Sequence, residues 1–224
     1  MPIYNAKLIT IDAVETKRYA GLRKNINFDE KKIFDACEEA QILLEVQGSW
    51  EIFNYSYETQ TILSKNPVMI EGNSIGRHLL NCNKIICMAI TVGENIEREV
   101  TRKFQKGEYT SSILLDAAAT AAVEQAADAM EKSIEENPLI RGYSMRWRFS
   151  PGYGDWPLTQ QADILRLSNA ESIGIRLSSS MMMTPRKSIT AVIGLINRNA
   201  KEIKYNSKNR CENCNSLNCS NRQE

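Results

Sequence analysis

Several short stretches of the chain have the apolar pattern of β-strands. Residues 7–11, 144–149 and 188–196 are predicted strands, and residues 50–55 add the aromatic, alternating character of a half-buried strand. Residues 84–92 are nearly continuous in apolar side chains, which is typical of a strand covered on both faces. The sequence therefore predicts a sheet with residues 84–92 at its centre.

Helical spacing separates these strands. The apolar positions of a first helix, over residues 28–46, are Ile33, Cys37, Ala40 and Leu44. Those of a second helix, which follows Gly93, are Ile96, Val100 and Phe104. Steps of three and four residues bring such side chains to one helix face, where they can pack on a sheet. A further helix is predicted to begin near Thr159.

The clearest single element is a helix over residues 111–137. Its apolar ladder with a step of four is Leu114, Ala118, Ala122, Ala126, Met130 and Ile134. A polar ladder on another face is Asp116, Thr120, Glu124, Asp128, Lys132 and Glu136. The pattern predicts one buried stripe and one stripe in water, and Pro138 ends the helix because proline cannot continue it. Packing accounts for the alanines; a ligand groove beside them is the alternative.

Strands and helices in this order predict an α+β protein, a single domain with a mixed or mainly antiparallel sheet and packed helices. After Arg198 the composition changes to Lys, Asn, Ser and Cys with few apolar residues. We therefore expect the folded domain to cover residues 1–205 and residues 206–224 to form a polar, cysteine-containing tail.

Composition excludes several function classes. The chain has 224 residues, 42% hydrophobic and 25% charged, with a formal net charge of +1. This charge balance provides no general field for nucleic acid or an anionic membrane. No apolar run reaches the length of about 20 residues that a membrane helix needs, and no secretory leader is evident at the start. We expect a cytoplasmic protein whose six cysteines are thiols or metal ligands.

The segment Arg148-Phe-Ser-Pro-Gly-Tyr-Gly-Asp-Trp-Pro157 joins a predicted strand to a predicted helix. Its prolines and glycines favour a rigid loop with backbone groups close to a ligand, and Arg148 supplies a planar donor fork for a carboxylate or phosphate. An ordinary strand–helix connection, with Tyr153 and Trp156 packed on the core, is the alternative.

Two stretches carry a resemblance to a known family. Arg148-Phe-Ser-Pro-Gly-Tyr153 resembles the S-adenosylmethionine-binding signature Arg-x-x-x-Gly-Tyr of the activation domain of cobalamin-dependent methionine synthase. Residues 177–194, with their serines, methionines and closing strand, are similar to a second segment of that family. Gly-Asp-Trp-Pro157 resembles a shorter branch in which the activation domain is a protein by itself. The resemblance covers about residues 75–196.

The resemblance implies a ligand site. Arg148 would bind the carboxylate of S-adenosylmethionine, Ser150 and Gly152 would present backbone groups, and Tyr153 would form a wall of the pocket. The long synthases also have an acidic contact early in the domain, for which Asp12, Asp29 and Asp35 are all candidates here, and an aromatic on the closing strand. This chain has Val192-Ile193-Gly194 at the latter place.

The function that the resemblance implies is repair of an inactive, oxidised cobalamin. In the family, the domain binds S-adenosylmethionine beside a cobalamin carried by another domain or protein. Methyl transfer then traps cobalt(I) after reduction of inactive cob(II)alamin, and no catalytic acid, base or nucleophile is needed. The chain would act in trans on a methionine synthase or related corrinoid protein, with an electron donor such as a flavodoxin or ferredoxin. The competing hypothesis is a non-enzymatic corrinoid-protein adaptor, or a metal-binding interaction protein, with a degenerate pocket.

Two other features bear on cofactors. His78, the only histidine, lacks the surrounding Asp-x-His-x-x-Gly pattern of cobalamin-binding modules, so we expect it to be packed or hydrogen-bonded and the cobalamin to be held by a partner. Cys211, Cys214 and Cys219 have a spacing that suits zinc, an iron–sulfur cluster or a redox pair. A fourth metal ligand could come from Cys82, Cys87, another chain or solvent. A tail with free thiols is the alternative.

Overall fold

The computed structural model describes residues 3–5, 10–22 and 28–198. Its helices are α1 (Ala13–Tyr19), α2 (Glu30–Leu43), α3 (Asn73–His78), α4 (Asn95–Gln105), α5 (Tyr109–Glu135) and α6 (Gln161–Leu167). Its strands are β1 (Ile3–Tyr4), β2 (Gln47–Ser56), β3 (Thr61–Leu63), β4 (Val68–Met69), β5 (Lys84–Thr91), β6 (Tyr143–Met145), β7 (Arg176–Leu177), β8 (Met183–Thr184) and β9 (Ser188–Asn197). Short 3-10 helices cover Pro138–Ile140, Leu158–Gln160 and Ala170–Ile173.

One antiparallel sheet organises the domain. Its strand order is β4-β3-β2-β5-β9-β6, with β1 paired to β2, and each of these described pairings is antiparallel. β5 lies between the two ten-residue strands β2 and β9. The predicted central strand and the α+β fold class are therefore confirmed.

Helices α1, α2, α4 and α5 cover the first face of the sheet. The predicted apolar ladder of α5, from Leu114 to Ile134, is at most 2% exposed. Its alanines let the helix lie close to β5 and β9, so a long helix and the sheet share one core. Asp29 caps α2 by accepting a hydrogen bond from the Lys31 backbone N–H. Ile33, Cys37 and Ala40 of the predicted face are buried, whereas Leu44 follows the end of the helix and is half-buried.

The polar ladder of α5 is not simply a stripe in water. Lys187, which precedes β9, donates to Thr120 Oγ1 at 2.8 Å and pairs with Asp116 at 2.9 Å. Glu124 and Asp128 bind Arg148. The ladder is partly exposed to water, as predicted, with Asp128 61% exposed, and between residues 116 and 128 it also binds basic groups at the edges of the sheet.

The second face carries α3, the loop before α6, and α6 itself. Its core joins Ile75 of α3 and Leu79, which follows that helix, to Trp156 of the loop and Ile164 of α6, all at most 2% exposed. A smaller cluster around Ala89 and Ile173 extends this layer. Residues 148–157 therefore lie between the edge of the sheet and a packed layer of short helices.

Some strand and tail predictions need correction or fall outside the described chain. Of predicted strand 7–11, residues 7–9 are not described, and Thr10 and Ile11 are not in a strand. The strand predicted over residues 144–149 ends at Met145 and is followed by a bulge. The tail 206–224 and the predicted boundary at 205 lie outside the described residues. Among the residues that are described, no helix is long and apolar enough to cross a membrane.

Candidate functional site

A β-bulge sets the direction of the Arg148 side chain. Met145 pairs with Leu195 and Phe149 with Val192, so three residues of one strand oppose two of the other. Met145 packs against the first core, whereas Trp147, two residues later, packs against the second. The extra residue reverses the alternation of side chains, which sends Arg148 to the α5 face and Phe149 to the α3 face.

Arg148 binds a group of acids on α5. Its guanidinium donates to Glu124 at 2.7 Å, to Asp128 at 2.5 Å and to Glu131. The side chain is only 9% exposed. Burial by itself would lower the pKa of Arg148, but Glu131 and Asp128 raise that pKa above its ordinary value. Arg148 is therefore a fixed, permanently charged group beside an excess of carboxylates, and we call these four residues the Arg148 cluster.

An acidic cleft adjoins the Arg148 cluster. It has a volume of about 340 Å³ and lies between the second half of α5 and the bulged edge of the sheet. Its lining residues are Asp128, Glu131, Lys132, Glu135, Met145, Arg146 and Trp147. Asp128 and Glu131 thus belong both to the cleft and to the Arg148 cluster. Three carboxylates against two cationic side chains leave the lining with an excess of one negative charge beside the Trp ring, which suits a small ligand that carries both signs of charge.

The loop after Arg148 is held by its own hydrogen bonds. The Gly152 N–H donates to the Trp156 carbonyl at 2.9 Å, and the Tyr153 N–H donates to the Ser150 carbonyl at 3.1 Å. Trp156 is buried, whereas Tyr153 is 54% exposed. The Gly152 N–H and the Ser150 carbonyl therefore already have partners within the loop, and the Tyr153 ring is 54% exposed to solvent.

The four predicted ligand residues lie on two sides of the sheet edge. Arg148 points to α5, while the Tyr153 ring packs edge-on against Phe149 with 6.0 Å between ring centroids, on the α3 side. The structure brings Ser150, Gly152 and Tyr153 together in one loop but does not bring the Arg148 guanidinium to them. Their role as ligand contacts stays a prediction.

Sequence reasoning missed the acids that bind Arg148. Glu124 and Asp128 were visible as part of the polar ladder of α5, but Glu131 lies off that ladder. The spacing of seven residues from Glu124 to Glu131, two turns of helix, was the available signal. Their common partner depends on the bulge, which the local pattern of apolar residues does not reveal.

His78 is packed and hydrogen-bonded, as predicted. Its Nε2–H donates to the Trp147 carbonyl at 2.9 Å, and the centroids of the His78 and Trp147 rings are 4.2 Å apart. Among the described residues no group bonds its Nδ1. Burial, together with the nearby charge of Arg146, lowers the pKa of His78 to about 4, although the Trp147 carbonyl opposes this shift.

This low pKa predicts an acid-dependent loss of stability. The unfolded chain takes up the proton near pH 6.5, whereas the folded chain resists it until about pH 4. The folded state is therefore fully stabilised above pH 6.5 and loses about 1.5 kcal/mol as the pH falls from 6.5 to 5. Urea unfolding as a function of pH measures the loss, and NMR of the single imidazole should show no titration above pH 5.

The matched control is His78→Gln, which replaces the imidazole by an amide that does not titrate. Between pH 6.5 and pH 5, the unfolding free energy of this variant should depend less steeply on pH than that of the wild type, because only the carboxylate contributions remain. An imidazole resonance that titrates near pH 6.5 in the folded protein would contradict this prediction.

The family's two other contacts have no clear counterpart in the structure. Ile193, on the closing strand where the long synthases have an aromatic, is fully buried in the first core. Asp12 accepts two backbone N–H bonds at the start of α1, Asp29 caps α2, and Asp35 pairs with Lys31. Each of these acids thus has a local structural role, and none is singled out as the ligand contact.

The cysteine site stays a prediction. Cys211, Cys214 and Cys219 lie outside the described residues. Cys82 and Cys87 are fully buried, and burial raises the pKa of Cys82 to about 11 and the pKa of Cys87 further above its ordinary value. Their role as a fourth ligand stays a prediction. Within the described part of the chain, no three His, Cys, Asp or Glu side chains are arranged to hold a metal.

Comparison with solved structures identifies the fold. The crystal structure of the MetH reactivation domain bound to AdoHcy matches with a TM-score of 0.59 and 15% sequence identity, and the match covers 92% of this chain and 81% of that one. At this identity the match shows a shared fold. No curated protein matches the sequence.

A family model supplies the assignment. The model described as vitamin B12 dependent methionine synthase, activation domain, matches residues 78–215. This range contains α4, α5, β9 and the loop of residues 148–157, which we call the Arg148 loop, and therefore most of the sheet edge described above. Since the match spans more than half of the sequence, the chain belongs to the family of vitamin B12 dependent methionine synthase activation domains.

Proposed function

We propose that this protein binds S-adenosylmethionine and supports reductive reactivation of cob(II)alamin on a cobalamin-dependent methionine synthase or related corrinoid protein. It would act in trans, in the cytoplasm, with a flavodoxin- or ferredoxin-like electron donor. The observation that carries the proposal is the Arg148 guanidinium, fixed at the edge of the sheet beside an acidic cleft of about 340 Å³. The family assignment and the likeness to the AdoHcy-bound reactivation domain support it.

The charges of the site suit this ligand. S-adenosylmethionine carries a carboxylate, an ammonium group and a sulfonium. Arg148 offers a fork of donors for the carboxylate, and Asp128 and Glu131 offer acceptors for the cationic groups. The ligand supplies an electrophilic methyl group, and the residues of this chain bind and orient it. Because β6 is an edge strand, a ligand along it would have Arg148 on one side and Tyr153 on the other.

The cobalamin would come from the partner. His78 is buried, and its Nε2 is bonded to the Trp147 carbonyl, so it is not placed to ligate cobalt. The corrinoid protein would therefore present its cofactor to the exposed edge of this domain, where Tyr153 is accessible.

Calorimetric titration with S-adenosylmethionine tests the proposal. We expect Arg148→Lys, which keeps the charge but loses the planar fork, to weaken binding by about tenfold or more, since a charge-assisted pair contributes about 1.5–3 kcal/mol. Tyr153→Phe should have a smaller effect, because the hydroxyl is lost while the ring is kept.

The matched control is Arg102→Lys, at an arginine that also pairs with an acid, Glu99, but on α4. It should bind S-adenosylmethionine as the wild type does. If the wild type binds no S-adenosylmethionine, alone or with a cob(II)alamin-loaded partner, the proposal fails and the adaptor hypothesis is favoured. The Ile193 position, which presents no aromatic to a ligand, is the observation that favours that second hypothesis.

A further inference from the structure

The short helix α3 contacts both ends of the Arg148 loop. At its N-terminus the Asp155 carboxylate accepts hydrogen bonds from the Asn73 and Ser74 N–H groups, each at 2.8 Å. At its C-terminal end, His78 donates to the Trp147 carbonyl at 2.9 Å. A helix of six residues is about 9 Å long, so one small rigid element spans the loop from residue 147 to residue 155.

Two glycines bring the helix and the loop into close contact. A Cβ at Gly72 would lie 3.0 Å from the Asp155 carbonyl oxygen, and one at Gly154 would lie 2.9 Å from the Ser74 Cβ. Gly154 also has a φ of +57°, which glycine adopts most readily. The loop therefore rests directly on the backbone at the start of α3.

α3 is itself fixed to the core. Ile75 and Leu79 are fully buried, and the His78 ring lies between the α3 backbone and the rings of Trp147 and Phe149, 4.2 and 5.2 Å away between centroids. Packing of this kind leaves a helix few alternative positions. α3 is therefore a fixed support that determines the position of the loop.

Gln160 extends the same contact to the far end of the loop. Its Oε1 accepts from the Trp156 indole N–H at 2.6 Å and from the Glu71 N–H at 2.9 Å. Its Nε2 donates to the Met69 carbonyl at 2.7 Å. The segment from Met69 to His78 thus holds residues 147–160 at several points.

We propose that α3 positions the ligand-binding loop, and that Asp155 and His78 are its positioning residues. The inference rests on the proposed function, since it concerns the same site. Trp147, which His78 holds, directly precedes Arg148, and Asp155 comes two residues after Tyr153. Loss of either contact would shift a predicted ligand residue without removing it. The Gly-Asp-Trp-Pro157 motif then serves to fix the loop and need not touch the ligand.

Four variants test this role by calorimetry with S-adenosylmethionine. Asp155→Ala removes both acceptors, and His78→Leu removes the donor to Trp147. Each should weaken binding about tenfold, because even a displacement of about 1 Å of binding groups can cost that much or more. His78→Gln keeps an N–H at the position of Nε2 and should restore most of the affinity. Ser112→Ala is the control, because it removes a buried hydrogen bond, to the Val100 carbonyl, at the distant start of α5.

A second readout does not need the ligand. Hydrogen exchange of the amides in residues 148–157 should become at least about tenfold faster in Asp155→Ala and stay unchanged in Ser112→Ala. Unchanged affinity and unchanged loop exchange in both Asp155→Ala and His78→Leu would overturn the inference. Failure of the wild type to bind S-adenosylmethionine overturns the proposed function alone, and loop exchange then decides whether α3 positions the loop.

Discussion

Arg148→Ala should lower the free energy of unfolding by about 3 kcal/mol, because it leaves three acids of α5 without their cation. Most of this loss should come from Glu131, which is 15% exposed; Asp128 is 61% exposed and contributes little, since water screens it. The negative charges that remain would also repel one another. Urea denaturation at neutral pH, followed by circular dichroism, measures the change.

A double-mutant cycle with Glu131→Gln provides the control. Removing Glu131 alone leaves Arg148 with Glu124 and Asp128, so the single variant should lose about 1 kcal/mol. In the double variant, removal of the arginine should cost less than it does in the wild type, because fewer carboxylates lose their contact with the arginine. If Arg148→Ala changes stability by less than 0.5 kcal/mol, as exposed substitutions do, the cluster is not a structural ion pair.

The Arg148 cluster gives one residue two predicted roles. The guanidinium holds the bulged edge of the sheet against α5, and the same guanidinium is the predicted carboxylate contact of the ligand. A ligand carboxylate would have to share Arg148 with Glu124, Asp128 and Glu131 or displace one of them. The ammonium and sulfonium of S-adenosylmethionine would compensate the acids that lose contact with Arg148. The positive charges of the ligand would thus balance the negative charges of the cleft.

The long elements were predictable from sequence because repeated local signals fix them. The apolar step of four along α5 recurs over six positions, and the apolar run of β5 leaves no polar face for water. Burial of both follows from the pattern alone. α3 was not predicted, since six residues carry too few apolar positions to define a helical face, and its N-terminus is capped from distant Asp155.

The site was less predictable than the fold because its geometry depends on pairing between distant strands. The Arg148 loop was identified from its own residues. The direction of Arg148 depends on the register of Phe149 against Val192, some forty residues along the chain. The prediction of a strand through residue 149 is wrong for the same reason. Alternation of side chains does not show where an extra residue interrupts the pairing of two strands.

Trp156→Ala should lower the free energy of unfolding by about 4 kcal/mol, more than Arg148→Ala does. The indole is 2% exposed in the second core, and its N–H donates to Gln160 at 2.6 Å. Truncation leaves a cavity under the loop and removes one contact of Gln160, which also bonds Glu71 and Met69. Thermal and urea unfolding measure the loss; Trp156→Phe, which fills most of the cavity, should lose about 2 kcal/mol.

The comparison with Trp50→Ala separates general destabilisation from an effect on the site. Trp50 is 4% exposed in the first core, on the opposite face of the sheet, so its truncation should lower stability by a similar amount. Only Trp156→Ala should also weaken S-adenosylmethionine binding at a temperature where both variants remain folded, because only Trp156 supports the loop that follows Arg148. Equal binding by the two variants would mean that the loop keeps its shape without the indole, and that the buried tryptophan of Gly-Asp-Trp-Pro157 serves the core alone.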